Sequence, residues 1–256
     1  DGITVVDVHA GKEACLIGHQ MENPEAELGL CFNPEGSLLA VMDWQPESVR
    51  LIRLIEVPSG QERARFTVKG GLSGYFIGKG QYLVIKVPGD TFQELHFINP
   101  ETGRELSSLR LPSTGGPVFS SDGQRMVTKD ESMLRLLEVP TGEEVARWQE
   151  NGIRSFFDYS GQWQVLVSDS RLIRLVDTTS GLEKSRAELD CNVDDSMMGS
   201  VMLRAEADLL VAACKDGEFR TLKASTGAET ARFKVDGRVK FFSPDARFIV
   251  TQDEDG

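Results

Sequence analysis

The chain has 256 residues, 40% of them hydrophobic and 27% charged, which is enough to bury the core of one large all-β domain or of two smaller domains. The formal net charge of −12 repels phosphate groups and therefore argues against nucleic acid and anionic membrane surfaces as partners. A basic protein or peptide is the kind of partner that this charge favours.

No apolar run reaches the roughly 18 residues that a membrane span needs, and no signal peptide is visible. The first residue is Asp1 rather than Met, so we expect the chain to belong to a longer polypeptide with other domains. The cysteines form no CxxC pair and have no histidine cluster at metal-ligand spacing, which predicts buried free thiols in the reducing cytoplasm and no metal or cofactor. They are Cys15, Cys31, Cys191 and Cys214.

One segment recurs six times along the chain. Each copy is a strand of alternating apolar residues, a polar turn that ends in glycine, and an acidic residue two positions later. The intervals between the turn glycines run from 39 to 49 residues. The glycines are Gly11, Gly60, Gly103, Gly142, Gly181 and Gly227.

A second landmark falls between these copies: a tight turn followed by a run rich in Val, Leu and Ile, which is typical of a strand covered on both faces. Helix signals are nearly absent, and only 189–200 could hold a helical turn. Each repeat thus contains four short antiparallel strands, and its length of about 40 to 45 residues is that of a β-propeller blade. The tight turns lie at 33–36, 77–80, 120–123, 158–161, 204–207 and 243–246.

These repeats resemble the WD-repeat family, whose blades carry a Gly-His before the innermost strand and a Trp-Asp that ends the third. Gly18 and His19 match the Gly-His, while Asp7 and Asp177 match the Asp of the Trp-Asp and follow Val instead of Trp. The resemblance implies structural roles for these residues, with His19 anchoring the loop that enters an inner strand. It also implies a non-catalytic protein-interaction platform, often a sensor or regulatory module beside an effector domain.

The phase of the repeats predicts a single β-propeller domain over residues 1–256. Six blades are expected, with seven as the alternative. The strands 3–8 and 12–17 would share one blade with the strands 238–242 and 247–251, which would close the ring and remove exposed strand edges. The two termini would then lie side by side.

Length variation indicates a binding surface. The variable loops 18–28, 42–50, 69–74, 87–93 and 189–200 all belong to second turns and to crossovers between blades, so we expect them at one face of the ring. Acidic residues around exposed aromatic and Met anchors would suit a basic, partly apolar protein or peptide, although the acids could simply keep the loops soluble and Trp44 could pack on its own blade. The residues assigned to binding are Glu22, Glu25, Asp43, Trp44, Glu47, Phe92, Asp194, Asp195 and Met197.

Catalytic motifs are weak. The only histidines are His9, His19 and His96, and the segment GGLSG at 70–74 does not have the spacing of a nucleophile elbow. The chain is therefore expected not to be an enzyme. The alternative function is a glycosidase-like hydrolase with paired carboxylates in the central channel, by analogy with other propellers. Trp148 and Trp163 lie in strand patterns and are expected to pack.

Overall fold

The structure is a computed structural model that describes residues 2–18, 28–45, 49–70, 73–113, 116–130, 133–149, 154–158, 160–168, 171–193, 201–235, 238–243 and 248–252, with the backbone alone at 44, 45 and 238–242. The chain divides into two compact units. Unit 1 contains residues 1–116, 122–124 and 138–142, and unit 2 contains 117–121, 125–137 and 143–256. A single domain over the whole chain therefore stays a prediction.

Strands make up all of the regular structure in the described residues except two single-turn 3₁₀ helices, Gly78–Gly80 and Ala205–Ala207. Five sheets have four strands each, paired in chain order as antiparallel meanders. Sheet 1 contains β3 (Gly29–Phe32), β4 (Leu38–Gln45), β5 (Val49–Glu56) and β6 (Glu62–Lys69). Sheet 2 contains β7 (Ser73–Ile77), β8 (Tyr82–Val87), β9 (Phe92–Ile98) and β10 (Glu105–Pro112).

Three further meanders follow. Sheet 3 contains β11 (Val118–Phe119), β12 (Arg125–Asp130), β13 (Met133–Glu138) and β14 (Glu144–Gln149). Sheet 4 contains β15 (Arg154–Phe157), β16 (Trp163–Val167), β17 (Leu172–Asp177) and β18 (Glu183–Glu188). Sheet 5 contains β19 (Val201–Arg204), β20 (Leu209–Ala213), β21 (Glu218–Lys223) and β22 (Glu229–Lys234).

Two hairpins stand at the ends of the chain: β1 (Gly2–Asp7) with β2 (Lys12–Gly18), and β23 (Arg238–Phe242) with β24 (Ile249–Gln252). Each is a two-stranded sheet in the part of the chain that the structure describes. The four-stranded antiparallel unit predicted from the repeats is confirmed, and the 24 strands among the described residues are the number that six such units require. Closure through the end strands stays a prediction.

The third turn of every repeat is built around its glycine. All six turn glycines have φ between 62° and 76°, a left-handed conformation that favours glycine over residues with a Cβ. A shift in strand register, the mark of a β-bulge, follows the turn in each of the six hairpins. Because a bulge inserts one residue into the alternation, two residues three apart on the fourth strand can point to the same face.

Close packing between consecutive sheets is a second reason why these turns need glycine. A Cβ at Gly103 would lie 2.7 Å from the Cβ of Ala64 on β6, and one at Gly181 would lie 2.7 Å from the Cβ of Ala146 on β14. Within each unit, the third turn of one sheet therefore lies directly against the fourth strand of the sheet before it. This repeated contact between neighbouring meanders is the packing expected of propeller blades.

The inner strands form the core. Residues 38–42 of β4, 82–85 of β8 and 165–167 of β16 are all buried, which confirms the strands covered on both faces. Aliphatic side chains dominate, and Trp148 and Trp163 pack at the margins of two clusters, as expected. One core position departs from the pattern: Gln164 is fully buried, and its amide has no hydrogen-bond partner among the described atoms. None of the described residues forms a helix long and apolar enough to cross a membrane.

Candidate functional site

Turns and loops are sorted between the two ends of the strands. In unit 1 the amide of Val57, just after β5, donates to the carbonyl of Ser37 in the first turn, so first and third turns meet. At the other end, the amide of Ser113 donates at 3.0 Å to the carbonyl of Thr91, which joins the crossover after β10 to the second turn of the same sheet. In each unit we call this second set of turns and crossovers the crossover edge of that unit: it includes 87–91 and 112–113 in unit 1, and 168, 171, 189–193 and 214–217 in unit 2.

Two of the predicted loops are shorter than the sequence suggested. The predicted bounds of the loop 42–50 are wrong, because residues 42–45 belong to β4 and residues 49–50 belong to β5. Only residues 46–48 lie between the two strands. The ends of the predicted loop 69–74 likewise belong to β6 and β7. On both sides of these turns, strand pairing continues into segments whose polar residues had suggested a loop.

Phe92 opens β9 at the crossover edge and is 43% exposed. The guanidinium of Arg110, on the neighbouring strand β10, lies 4.3 Å from the centre of its ring. A cation over an aromatic face is attractive and holds the ring in one orientation. Phe92 therefore presents a supported aromatic surface to solvent.

Asp43 lies inside sheet 1. It is 9% exposed, and its Oδ2 is 3.5 Å from Nη2 of Arg53, whose other terminal nitrogen donates to the carbonyl of Gly18 at the end of β2. The Asp43 carboxylate is thus engaged by its own unit, and its role in binding stays a prediction.

The remaining binding assignments fall where the structure describes less. Trp44 lies on β4 with its backbone alone described. The others lie outside the described residues, as does His19, and stay predictions: Glu22, Glu25, Glu47, Asp194, Asp195 and Met197.

Asp7 and Asp177 end third strands and hold the turns that follow. Asp7 Oδ1 accepts the amides of His9 and Ala10, each at 2.9 Å. Asp177 Oδ1 accepts the amide and hydroxyl of Ser180 and another backbone amide, and these hydrogen bonds, led by the Ser180 amide, lower the pKa of the Asp177 carboxyl. Both carboxylates stabilise a turn and do so without a Trp neighbour.

In unit 2, a disulfide and hydrogen bonds attach the crossover segment Leu189–Val193 to residues of two second turns. A disulfide joins Cys191 to Cys214, with 5.9 Å between their Cα atoms, and the amide of Lys215 donates to the carbonyl of Asn192. Arg171 binds the side chain of Asn192 and the carbonyl of Asp190. The prediction of buried free thiols is therefore wrong for Cys191 and Cys214, because the fold brings together a crossover and a second turn that spacing alone did not connect. It is confirmed for Cys15, whereas Cys31 is free but only partly buried.

A charge cluster surrounds the same segment. The Arg220 side chain, 3% exposed, contacts the carboxylates of Asp190, Glu218 and Glu229 at 3.2, 2.6 and 3.8 Å. Arg232 on the adjacent strand binds the other oxygen of Asp190 at 3.0 Å. Hydrogen bonds from Arg232 and then from Arg220 lower the pKa of Asp190. We call these five residues the Asp190 cluster.

Part of this cluster recurs in other sheets. In sheets 1, 3, 4 and 5 an arginine seven residues before the turn glycine faces an arginine five residues after it across the strand pair. The glutamate two residues after the glycine bonds to the second arginine at 2.5 to 2.8 Å, and the bulge is what puts the two on one face. The sets are Arg53, Glu62 and Arg65; Arg135, Glu144 and Arg147; Arg174, Glu183 and Arg186; and Arg220, Glu229 and Arg232.

Sequence reasoning found the glutamate of this pattern and missed the arginines. Counting outward from the turn glycines would have revealed both arginines, because their offsets are the same in four of the six copies. Two arginines facing each other across strands repel, so a shared carboxylate is the physical reason for the conserved spacing within the chain. No group of three or more His, Cys, Asp or Glu side chains suited to a metal occurs among the residues that the structure describes.

Comparison with known proteins identifies the fold and no family. No family model and no curated protein sequence matches the chain. The structure entitled "KlHsv2 with loop 6CD replaced by a Gly-Ser linker" matches with a TM-score of 0.54 and 13% identity over 86% of this chain and 73% of that one. A chain of the "Crystal Structure of Mitotic Checkpoint Complex" matches with a TM-score of 0.50 and 12% identity over 99% of this chain and 82% of that one.

A third structure, the β-propeller domain of Cps50 (Swd1) from Myceliophteria thermophila, has a TM-score of 0.44 and 12% identity over 90% of this chain and 78% of that one, which is too low to add to the argument. At such identities the first two similarities show the fold alone. Together with the stacked four-stranded meanders, they define an all-β propeller.

Proposed function

We propose that this chain is a non-catalytic propeller of the WD-repeat type that serves as a protein-interaction platform, with a sensor or regulatory role inside a larger polypeptide. The observation that carries the proposal is the anchoring of the crossover edge. In unit 1, Ser113 holds a crossover to a second turn. In unit 2, Leu189–Val193 is held by a disulfide and by hydrogen bonds from Arg171, Lys215, Arg220 and Arg232. A surface fixed in this way loses little conformational entropy when a partner binds.

The partner that we propose is a basic protein or peptide. The net charge of −12 supports this choice, as do exposed acids at the crossover edge such as Asp90 and Asp216. Nucleic acid and anionic membranes remain unfavourable on the same electrostatic ground.

The cytoplasmic location expected from the cysteines does not enter the proposal. A disulfide between buried cysteines is typical of an oxidising compartment. We propose such a compartment as the place of action.

Affinity capture with matched variants tests the platform. Asp90→Arg changes an exposed residue of the crossover edge, and Glu35→Arg makes a change of the same sign in the first turn of sheet 1 at the other end of the strands. We expect mass spectrometry to find proteins that are captured by the wild-type chain and by Glu35→Arg but lost with Asp90→Arg. Identical capture by all three would contradict the proposal.

A further inference from the structure

Among the five four-stranded sheets, sheet 2 is the exception to the repeated ion pairs. The hairpin of β1 and β2 also lacks them, with Thr4 and Leu16 at the two arginine positions. In sheet 2, the position of the first arginine is His96, and the position of the second is Ser108, which faces His96 across the strands. The glutamate two residues after the turn glycine is retained as Glu105. The sheet thus keeps the carboxylate and lacks the guanidinium that the carboxylate binds elsewhere.

The other sheets define what that guanidinium does. On β6, Arg65 binds Glu62 through Nε and Nη2, both at 2.8 Å, while 58% of the arginine side chain remains exposed. This hydrogen bond is the largest reason for the lowered pKa of Glu62. Arg232 binds Glu229 in the same bidentate way on β22. A planar fork on a carboxylate is a strong and geometrically specific pair.

Glu105 has a weaker substitute. Its Oε2 lies 3.1 Å from Nδ1 of His96, and the glutamate side chain stays 48% exposed. Glu94 adds a second exposed carboxylate, 3.8 Å from the other ring nitrogen of His96. The side chain of Ser108 is exposed, and it carries no positive charge to pair with either acid. The place taken by a guanidinium in four sheets is therefore open to solvent beside two carboxylates.

An aromatic surface continues from this place along the same strands. Phe92, Glu94 and His96 alternate along β9, so they share one face, and Pro112 and Ser108 face the first and last of them on β10. Arg110, opposite Glu94, lies over one face of the Phe92 ring and so leaves Ser108 uncovered. A binding segment would find an aromatic contact at one end of this strip and a pair of carboxylates at the other.

We propose that sheet 2 binds an arginine side chain of a partner protein at Ser108, where Glu105 receives the guanidinium that four sister sheets supply from their own fourth strands. In an extended partner segment, a residue about four positions from that arginine would pack toward Phe92. Arginine and aromatic residues are those that most often dominate binding energy at protein interfaces. This inference rests on the proposed interaction function and assigns to it a site and a recognised side chain.

The repeats also favour arginine over lysine. All four internal occupants are arginines, and the carboxylate is held by two parallel N–H bonds in two of them. An ammonium group is a point donor and cannot reproduce that fork. A pool of peptides that carry lysine should therefore bind more weakly than the matched arginine pool.

Fluorescence titration with peptide pools tests the proposal. The probe is a dye-labelled, acetylated pool with one fixed arginine flanked by random Gly, Ala, Leu and Ser, compared with pools that carry lysine or uncharged citrulline at the fixed position. We expect the arginine pool to bind the wild-type chain, and the citrulline pool to bind about two- to fivefold more weakly, since an exposed but bidentate pair contributes about that factor.

Two variants locate the binding. Ser108→Arg restores the sister pattern and should fill the site from within, abolishing binding of the pool while leaving the unfolding temperature equal or higher. Leu106→Arg adds the same charge at the bulge, where sheet 1 has Arg63, and should leave binding unchanged. Glu105→Gln should weaken binding about two- to fivefold.

Contrary results separate this site from the platform. No binding of the pool to the wild-type chain, equal binding to Ser108→Arg, or equal loss with Leu106→Arg would overturn the site. A captured partner that depends on Asp90 would leave the platform standing in each case. If capture shows no such partner but pool binding is abolished by Ser108→Arg, then the site stands and the broader proposal fails.

Discussion

Sheets 2 and 5 show the same repeat in two states. In sheet 5, Arg220 and Arg232 gather three carboxylates, and the Asp190 cluster ties the fourth strand to the preceding crossover. In sheet 2, His96 and Ser108 stand at the same two positions, and Glu105 keeps half of its surface in solvent. The comparison teaches that the glutamate after the turn glycine is enclosed by charge pairs where arginines surround it and stays half exposed where they are missing.

Removal of the disulfide, which holds the crossover before sheet 5, should cause the largest loss of stability. The bond spans 23 residues in sequence, and a loop of that size stabilises a chain by about 3 kcal/mol. Replacing both Cys191 and Cys214 with Ala should lower the free energy of unfolding in urea by roughly that amount. Cys31→Ala should cost less than about 1 kcal/mol, because that residue is only partly buried.

Thiol counting checks the same bond independently. Burial raises the pKa of the Cys31 thiol to about 11, so alkylation must be done on the unfolded chain. Mass spectrometry should find two alkylated cysteines without a reductant and four after reduction. Four alkylated cysteines without a reductant would show that Cys191 and Cys214 form no disulfide.

Arg220→Met should give the next largest loss. It removes a buried cation from three partly exposed carboxylates, which can recover water, so we expect about 2 kcal/mol rather than the full cost of a broken buried pair. The matched change His96→Met in sheet 2 should cost less than about 0.5 kcal/mol, because its partners are mostly exposed. Equal losses at both positions would contradict the distinction between sheet 5, where arginines surround the glutamate, and sheet 2, where they are missing.

Gln164→Leu should raise stability by about 1 kcal/mol. The amide of Gln164 is buried without a hydrogen-bond partner among the described atoms, which costs about 1 to 3 kcal/mol. Leucines occupy the same register in sheets 1, 2 and 5, where Leu39, Leu83 and Leu210 also face the residue five positions before the turn glycine. Calorimetry should show a higher melting temperature, whereas a lower one would mean that an unseen partner satisfies the amide.

The smallest expected effect is a change in acid sensitivity. Because hydrogen bonds lower the pKa of Asp190 in the folded chain, the unfolded chain binds more protons just below pH ~4, and stability falls there as the pH decreases. Below pH ~4, the unfolding free energy of Asp190→Asn should fall less steeply with decreasing pH than that of the wild-type chain. Near neutral pH, the two curves of unfolding free energy against pH should run parallel. An unchanged acid limb would indicate that the arginines do not bind Asp190 in solution.

Repetition made the fold predictable from sequence. Six turn glycines at regular intervals gave the hairpins, and apolar runs between them gave the buried inner strands, because backbone conformation and burial leave local patterns. The site was less accessible. The pairing of Cys191 with Cys214, the burial of Asp43 and the opposition of His96 to Ser108 all depend on register between strands, which composition does not record.

The missing arginine of sheet 2 could have been seen by aligning the repeats on their glycines, but its meaning needed the structure. Only the bulge shows that a glutamate and a residue three positions later share a face, since regular strand alternation would separate them. Sequence periodicity alone would have placed Glu105 and Ser108 on opposite sides.

The central claim is that Ser108 marks a vacant arginine position beside Glu105. A double-mutant cycle between Ser108→Arg and Glu105→Gln, read as unfolding free energies in urea, tests it most directly. We predict a favourable coupling of about 0.5 to 1 kcal/mol, as for an exposed but bidentate pair, and a similar value for Arg147 and Glu144 in sheet 3. A coupling near zero in sheet 2 beside a clear coupling in sheet 3 would contradict the claim.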